Sequence, residues 1–314
     1  MWGSTACRSR GRTGVLWDLP SQHAAVHYRK YEEAGRSMPA AVAIGVDPTI
    51  LMSAVAKVPY GVDELAVAGA LRGAPVELVK CRTVDLEVPA TAEIVLEGEI
   101  RPGYRETEGP FGEYTGYMGG PYELPVFEIK CITHRHKPLY QALHSQMPPS
   151  ESSLLRRLPE EAAIYKHLVH YLKIPGIVDV HLPESGSSYA VLWVRVKVMY
   201  PGHAQQILSA AWTHHPALAK WIIVTDEDID IRDPFAREWA LSWRVEPLKD
   251  IFFIPHTSSI LLDPSATPSE VPLWDRRSSK ICIDATKKWQ FPAIALLPDE
   301  YLERAKHNWH KYGL

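Results

Sequence analysis

Glu108-Gly-Pro-Phe-Gly-Glu113-Tyr-Thr-Gly-Tyr117-Met-Gly-Gly120 sets two carboxylates among five glycines and one proline. A run so rich in glycine does not hold a helix or a long strand, and Pro110 fixes φ and removes a backbone donor, so the chain takes one shaped path here. On either side the sequence turns β-branched and alternating, at Ala92 to Ile100 and at Pro125 to Thr133, which makes the run a loop between two strands. A β-barrel or a strongly bent sheet is the container such strands predict. Two carboxylates held together in a partly desolvated pocket do not both ionise easily, so one keeps its proton near neutral pH and becomes a usable donor. The alternative is a surface turn that needs glycine and happens to carry glutamate.

Working outward toward the N-terminus, Ser21 to Gly35 reads as a helix with Ser21 as N-cap and Gly35 as its stop. Pro39 to Gly45 reads as a short buried strand, Leu51 to Val55 as a buried chain end and turn, and Val62 to Gly73 as a helix with Leu65, Ala68 and Leu71 on one face. Val76 to Cys81 is a further strand. Toward the C-terminus the pattern changes near Met147-Pro-Pro-Ser150, where a domain boundary is expected. Ser153 to Leu172 follows as a long amphipathic helix. Strands at Ile177 to Leu182, Tyr189 to Met199 and Trp221 to Val224 then alternate with a helix at His203 to Thr213, the signature of an α/β sheet. The expectation is a β-domain over 1–146 and an α/β domain over 147–314. The closing helix, Pro298 to Tyr312, is expected to dock on a partner subunit.

With 314 residues, 46% of them hydrophobic and 23% charged, the chain can bury a sizeable core. A net charge of -3 and the lack of a basic, aromatic-interleaved patch argue against nucleic acid. No apolar run reaches the length of a membrane span or a secretory leader, so a cytoplasmic location is expected. Cys7, Cys81, Cys131 and Cys282 lack zinc or disulfide spacing and read as free thiols. The acidic run Asp226-Glu-Asp-Ile-Asp230-Ile-Arg-Asp233 lacks the glycine and terminal glutamate of a calcium loop, and reads as a solvated turn or as salt links across a subunit contact.

The acidic loop resembles that of the UbiD family of decarboxylases, whose Glu-x-Pro-x-Gly-Glu type string carries the catalytic acids, here Glu108 and Glu113. The resemblance runs from about Thr13 to the C-terminus, through Met38-Pro-Ala-Ala-Val-Ala-Ile-Gly45, Gly61-Val-Asp-Glu64-Leu-Ala-Val-Ala-Gly69, Asp85-Leu-Glu-Val-Pro-Ala and Asp284-Ala-Thr-Lys. It implies a split β-barrel flavin domain, incomplete at its N-terminus, followed by an α/β oligomerisation domain. It also implies prenylated FMN (prFMN) as cofactor, held through a divalent Mn2+ with K+ nearby and supplied by a prenylated-flavin synthase. The substrate would be an aromatic or α,β-unsaturated carboxylic acid, and the assembly a homodimer or higher homo-oligomer.

His23 and Glu64 match the family's metal ligands. A helix N-terminus favours neutral imidazole at His23, while a glutamate in a first helical turn, like Glu64, is also ordinary dipole compensation. Backbone groups of Met52, Ser53 and Ala54 would complete the phosphate cradle. Lys280 resembles a lysine that reaches the flavin, a solvated lysine being the alternative reading. Family members carry about 150 further residues before this point, including an Asn metal ligand and an Arg that pairs with the two glutamates. Arg8 and Arg10 stand near the expected place in surroundings that do not match. A non-catalytic assembly or regulatory subunit is therefore the alternative function.

Overall fold

A computed structural model describes residues 14–16, 24–56, 58, 61–215, 217–260, 262–266 and 276–312. In chain order, β1 (Gly14–Leu16) precedes α1 (Ala24–Glu33), β2 (Met38–Ile44), α2 (Pro48–Val55) and α3 (Glu64–Arg72). A ribbon of β3 (Leu78–Lys80) and β4 (Glu87–Pro89) leads to β5 (Ile94–Glu108), a second small ribbon of β6 (Phe111–Gly112) and β7 (Met118–Gly119), and β8 (Tyr122–His134). β5 and β8 are long antiparallel neighbours in a four-stranded sheet ordered β1-β8-β5-β2. The sheet is open, and no closed barrel forms among the described residues.

Because strand side chains alternate, this sheet has two distinct faces. One carries Met38, Ala40, Ile100 and Phe127, and α1 closes it with Ala24 and Tyr28. The other carries Val95, Ala41 and Ala43 and is covered from the β3–β4 side by Val88, Ala92 and Cys81. Glu97 is only 2% exposed, yet it is well satisfied: the N–H groups of Arg82 and Thr83 donate to it at 2.8 and 2.7 Å, and the Thr83 hydroxyl at 2.8 Å. Burial pushes this carboxyl up, but those donors outweigh it and hold the carboxyl below its ordinary range. At Gly98 the strands come so close that a Cβ would sit 1.9 Å from the Glu128 carbonyl oxygen, so no larger residue fits without moving β8.

The helices are capped as the sequence dictates. Asp63 accepts the Leu65 N–H at 2.9 Å at the start of α3, and Gly73 ends it at φ +75°. The stretch read as a chain end and turn is instead α2: Asp47 accepts the Thr49 N–H at 2.8 Å and Pro48 occupies the first turn, where its missing N–H costs nothing.

The second half opens with α4 (Glu151–Lys166), which runs into a π turn at His167–Tyr171, where the Leu172 N–H reaches back to the His167 carbonyl at 2.9 Å. There follow β9 (Ile177–His181), β10 (Val191–Val196), α5 (His203–Trp212), β11 (Trp221–Asp226), α6 (Pro234–Arg244), α7 (Pro247–Asp250), β12 (Ile251–Ser258), β13 (Arg277–Ala285) and α8 (Asp299–His307). The sheet order is β12-β13-β11-β10-β9, with β10, β11 and β13 parallel and the outer strands antiparallel. Ile164, Leu168, Leu192, Val194, Ile207, Leu208, Ile222 and Val224 fill one face beneath α4 and α5. Trp193, Ile223, Ile283 and Ala240 fill the other beneath α6. Helices on both faces of a largely parallel sheet give the α/β layering that the sequence pattern predicts.

Glu227, Asp230 and Asp233 of the acidic run are exposed, as a solvated turn would be, while Asp226 and Asp228 are tied within the chain. Arg244, with its side chain 2% exposed, donates to Asp226 at 3.0 Å and forks onto both oxygens of Asp228 at 2.8 Å, and Lys287 Nζ joins Asp228 at 3.1 Å. The Lys287 N–H also donates to Asp226, and Asp284 accepts from the Thr286 N–H and from Gln205, so the Asp284-Ala-Thr-Lys string ties β13 to β11 and α5. The last helix, α8, buries none of its residues and leaves Leu302 exposed, and Trp309 and Tyr312 just beyond it are exposed as well. No helix among the described residues is long and apolar enough to cross a membrane.

Candidate active site

The two acids stand at opposite ends of the β6–β7 ribbon. Glu108 ends β5, paired with Tyr122 of β8, and is 1% exposed; Glu113 follows β6 and is half-buried. Gly109, Gly116 and Gly120 lie at φ +94°, +88° and +84°, a region closed to most side-chain-bearing residues. Gly119 is required for a different reason: a Cβ there would stand 2.6 Å from Glu113 Cγ and 2.9 Å from its Oε1, so the Glu113 side chain lies across the space this glycine leaves. The Glu113 N–H donates to the Tyr117 carbonyl and the Gly116 N–H to the Glu113 carbonyl, both at 2.9 Å, which closes a tight turn over 114–116, with Tyr117 and Met118 exposed beside it. Gln146 and Met147 pass over Gly112 and Gly116 closely enough that a Cβ at either glycine would strike them, at 3.0 and 2.4 Å.

The same loop touches the second half of the chain. Ser187 Oγ donates to the Tyr114 carbonyl at 2.7 Å, and the Arg156 guanidinium lies 4.5 Å over the Tyr114 ring. Sequence reasoning passed over Tyr114, Arg156 and Ser187, because a contact between residues 73 positions apart leaves no local signal.

The remaining candidates fare differently. His23 lies outside the described residues. Glu64 opens α3, half-buried, and its charge acts on His27 of α1, a residue the sequence reading did not single out. Burial and then Lys30 pull the His27 imidazole down, and Glu64 opposes them. No group of three or more His, Cys, Asp or Glu able to hold a metal ion occurs among the described residues. Met52, Ser53 and Ala54 sit inside α2, where backbone N–H groups serve the helix, and Ser53 Oγ donates to the Ile50 carbonyl at 2.9 Å. Lys280 is not solvated: it is 2% exposed on β13, its ammonium donates to the carbonyls of Leu218 and Ala219, and burial lowers it to about 8. That geometry turns Lys280 into its own sheet rather than out toward a flavin.

Two family models divide the chain. The 3-octaprenyl-4-hydroxybenzoate carboxy-lyase Rift-related domain matches residues 6–148, and the C-terminal domain of the same carboxy-lyase matches 153–285. The chain belongs to the UbiD family. An uncharacterized protein of Archaeoglobus fulgidus is 39% identical over 280 residues, which is 88% of this UbiD chain and 56% of that protein. The UbiD-class enzyme HmfF from Pelotomaculum thermopropionicum, in complex with FMN, superposes with a TM-score of 0.82 at 36% identity over 92% of this chain and 64% of that one. An evolved dimeric form of HmfF in complex with prFMN gives 0.81 at 34% identity over 96% and 64%. Vanillic acid decarboxylase of Sedimentibacter hydroxybenzoicus in closed form gives 0.82 at 31% identity over 97% and 65%. This UbiD chain thus spans between half and two thirds of the length of the relatives it matches.

Proposed function

We propose that this UbiD-family chain serves the reversible decarboxylation of an aromatic or α,β-unsaturated carboxylic acid with prFMN. The observation that carries the reading is the acidic loop: Glu108 is buried at the strand end, and Glu113 is laid across Gly119. Glu113 holds the proton delivered to the carbon that has lost CO2, and takes it back in the reverse direction. Glu108 is the second acid of the pair, and its burial keeps it out of reach of bulk water.

prFMN, when bound, supplies the electron sink for the departing CO2. Support for it comes from HmfF, whose evolved form carries prFMN. Of the residues expected to hold it, Met52, Ser53 and Ala54 lie in the last turns of α2, and Lys280 donates to Leu218 and Ala219, so no step is assigned to them. Mn2+ and K+ find only Glu64 of their two expected protein ligands among the described residues, so no step is assigned to them. The test is to produce the chain beside a prenylated-flavin synthase, record the flavin absorption spectrum and follow CO2 release from a panel of cinnamic, furoic and hydroxybenzoic acids. A bound flavin with release from at least one acid is expected; no flavin and no release would overturn the reading.

We also infer that the chain assembles as a homodimer or larger homo-oligomer through α8 and the turn after it, where Leu302 and Trp309 are 43% and 56% exposed in the single chain. Light scattering at high micromolar concentration should give at least twice the chain mass. Leu302→Glu with Trp309→Ala should halve it, and a monomeric unmodified chain would refute the assignment.

A further inference from the structure

Ser187 and Ser188 are consecutive non-glycine residues in the left-handed region, at φ +56° and +52°. One such residue is uncommon and two in a row are costly, so something must hold them there. The turn before them does part of it: the Ser187 N–H donates to the Glu184 carbonyl at 2.7 Å and the Ser188 N–H to the Pro183 carbonyl at 3.1 Å. Arg156 of α4 does the rest, its Nη1 donating to the Ser187 carbonyl at 3.3 Å. The strained turn aims one group out of the α/β half, the Ser187 hydroxyl, and that hydroxyl meets the Tyr114 carbonyl.

Tyr114 directly follows Glu113. Its carbonyl belongs to the turn that Glu113 opens, and its ring lies between the loop and the Arg156 guanidinium, which also approaches the Tyr189 ring at 5.9 Å. A guanidinium over an aromatic face is attractive and, with the hydroxyl, grips Tyr114 by both ring and backbone.

We propose that Ser187 and Arg156 are positioning residues that latch the acidic loop onto the α/β half, so that Glu113 takes its working orientation only while Tyr114 is held. This rests on the reading of Glu113 as the proton donor. The strain at 187–188 is what sets the hydroxyl.

Hydrogen exchange of the full chain tests the latch without any substrate. Ser187→Gly removes the hydroxyl while suiting the positive φ, so the global unfolding midpoint should stay or rise, yet amides of 109–120 should exchange about 10-fold faster, as loss of one hydrogen bond implies. Arg156→Met should do the same, and Arg156→Lys, which keeps charge but not the flat group over Tyr114, should follow it. In the flavin-loaded enzyme kcat should fall about 10-fold with KM for the acid little changed, the mark of a lost orientation rather than lost binding. Unchanged exchange of 109–120 in both Ser187→Gly and Arg156→Met would overturn the latch. Faster exchange in a protein whose unmodified form releases CO2 from no acid would leave the latch standing and sink the decarboxylase reading instead.

Discussion

Glu113→Gln is expected to lower CO2 release by roughly 10²-fold or more while leaving flavin content unchanged. An unperturbed glutamate, with a pKa of about 4.3, is almost wholly ionised at pH 7, so a donor at this position works only if its surroundings favour the protonated form. Glu113 is half-buried across the space that Gly119 leaves, and a partly desolvated carboxyl is disfavoured in its charged form. Glutamine keeps the length and the hydrogen-bonding shape, and the space left by Gly119 accommodates it as it does the acid. What it lacks is a proton of comparable acidity. Flavin absorbance identical to the unmodified enzyme is the control, and turnover at the unmodified rate would mean that the loop is only architecture.

Arg244→Met is expected to cost about 2–3 kcal/mol of stability, because it strips the partner from the largely buried Asp226 while Asp228, 35% exposed, can turn to water. Asp226 Oδ2 and both oxygens of Asp228 would lose their guanidinium at once, with Lys287 alone remaining to cover them. For a chain of this size that amounts to a fall in Tm of roughly 3–5 °C. The pH dependence has a definite sign. Hydrogen bonds from Arg244, then from Lys287, bring Asp228 down to about 2, so its contribution is complete above the unfolded value near 4 and is lost as pH falls from there toward about 2. Asp226 runs the other way: burial pushes it up despite the Lys287 N–H and Arg244, so it favours the folded state more when protonated and partly offsets Asp228. Urea unfolding between pH 5 and 2 should show the unmodified chain losing stability below pH 4 more steeply than Arg244→Met. Coincident curves would rule the network out as a source of stability.

What the sequence made legible was local. Glycine at 109, 116 and 120 announced the left-handed backbone that the loop uses, Asp63 and Gly73 framed a helix, and alternation marked β9 through β11. What it hid depended on partners far along the chain. Asp226 and Asp228 looked solvated because Arg244 stands 16 to 18 positions beyond its targets, and Lys280 looked free because the carbonyls it meets are 61 and 62 positions before it. Helix α2 escaped notice for another reason: eight mostly apolar residues suit a buried strand or turn as well as a helix, and only the Asp47–Pro48 start distinguishes them. The strands left a barrel or a strongly bent sheet open, because closure depends on pairing between first and last strands, which spacing does not encode.

The π turn at His167–Tyr171 carries a lesson about how such chains can differ from one another. It holds one residue more than an α-helical turn needs, a slack that the Leu172 N–H takes up by reaching to His167. Removing a residue elsewhere in α4 would rotate everything beyond it by about 100° and carry Ile164 or Leu168 out of the core. Removing one within the π turn returns the helix to ordinary pitch and leaves the frame of Glu160, Glu161 and Ile164 untouched. Lineages can therefore gain or shed a residue at this place with little penalty, and aligned sequences that break register there still describe one and the same architecture.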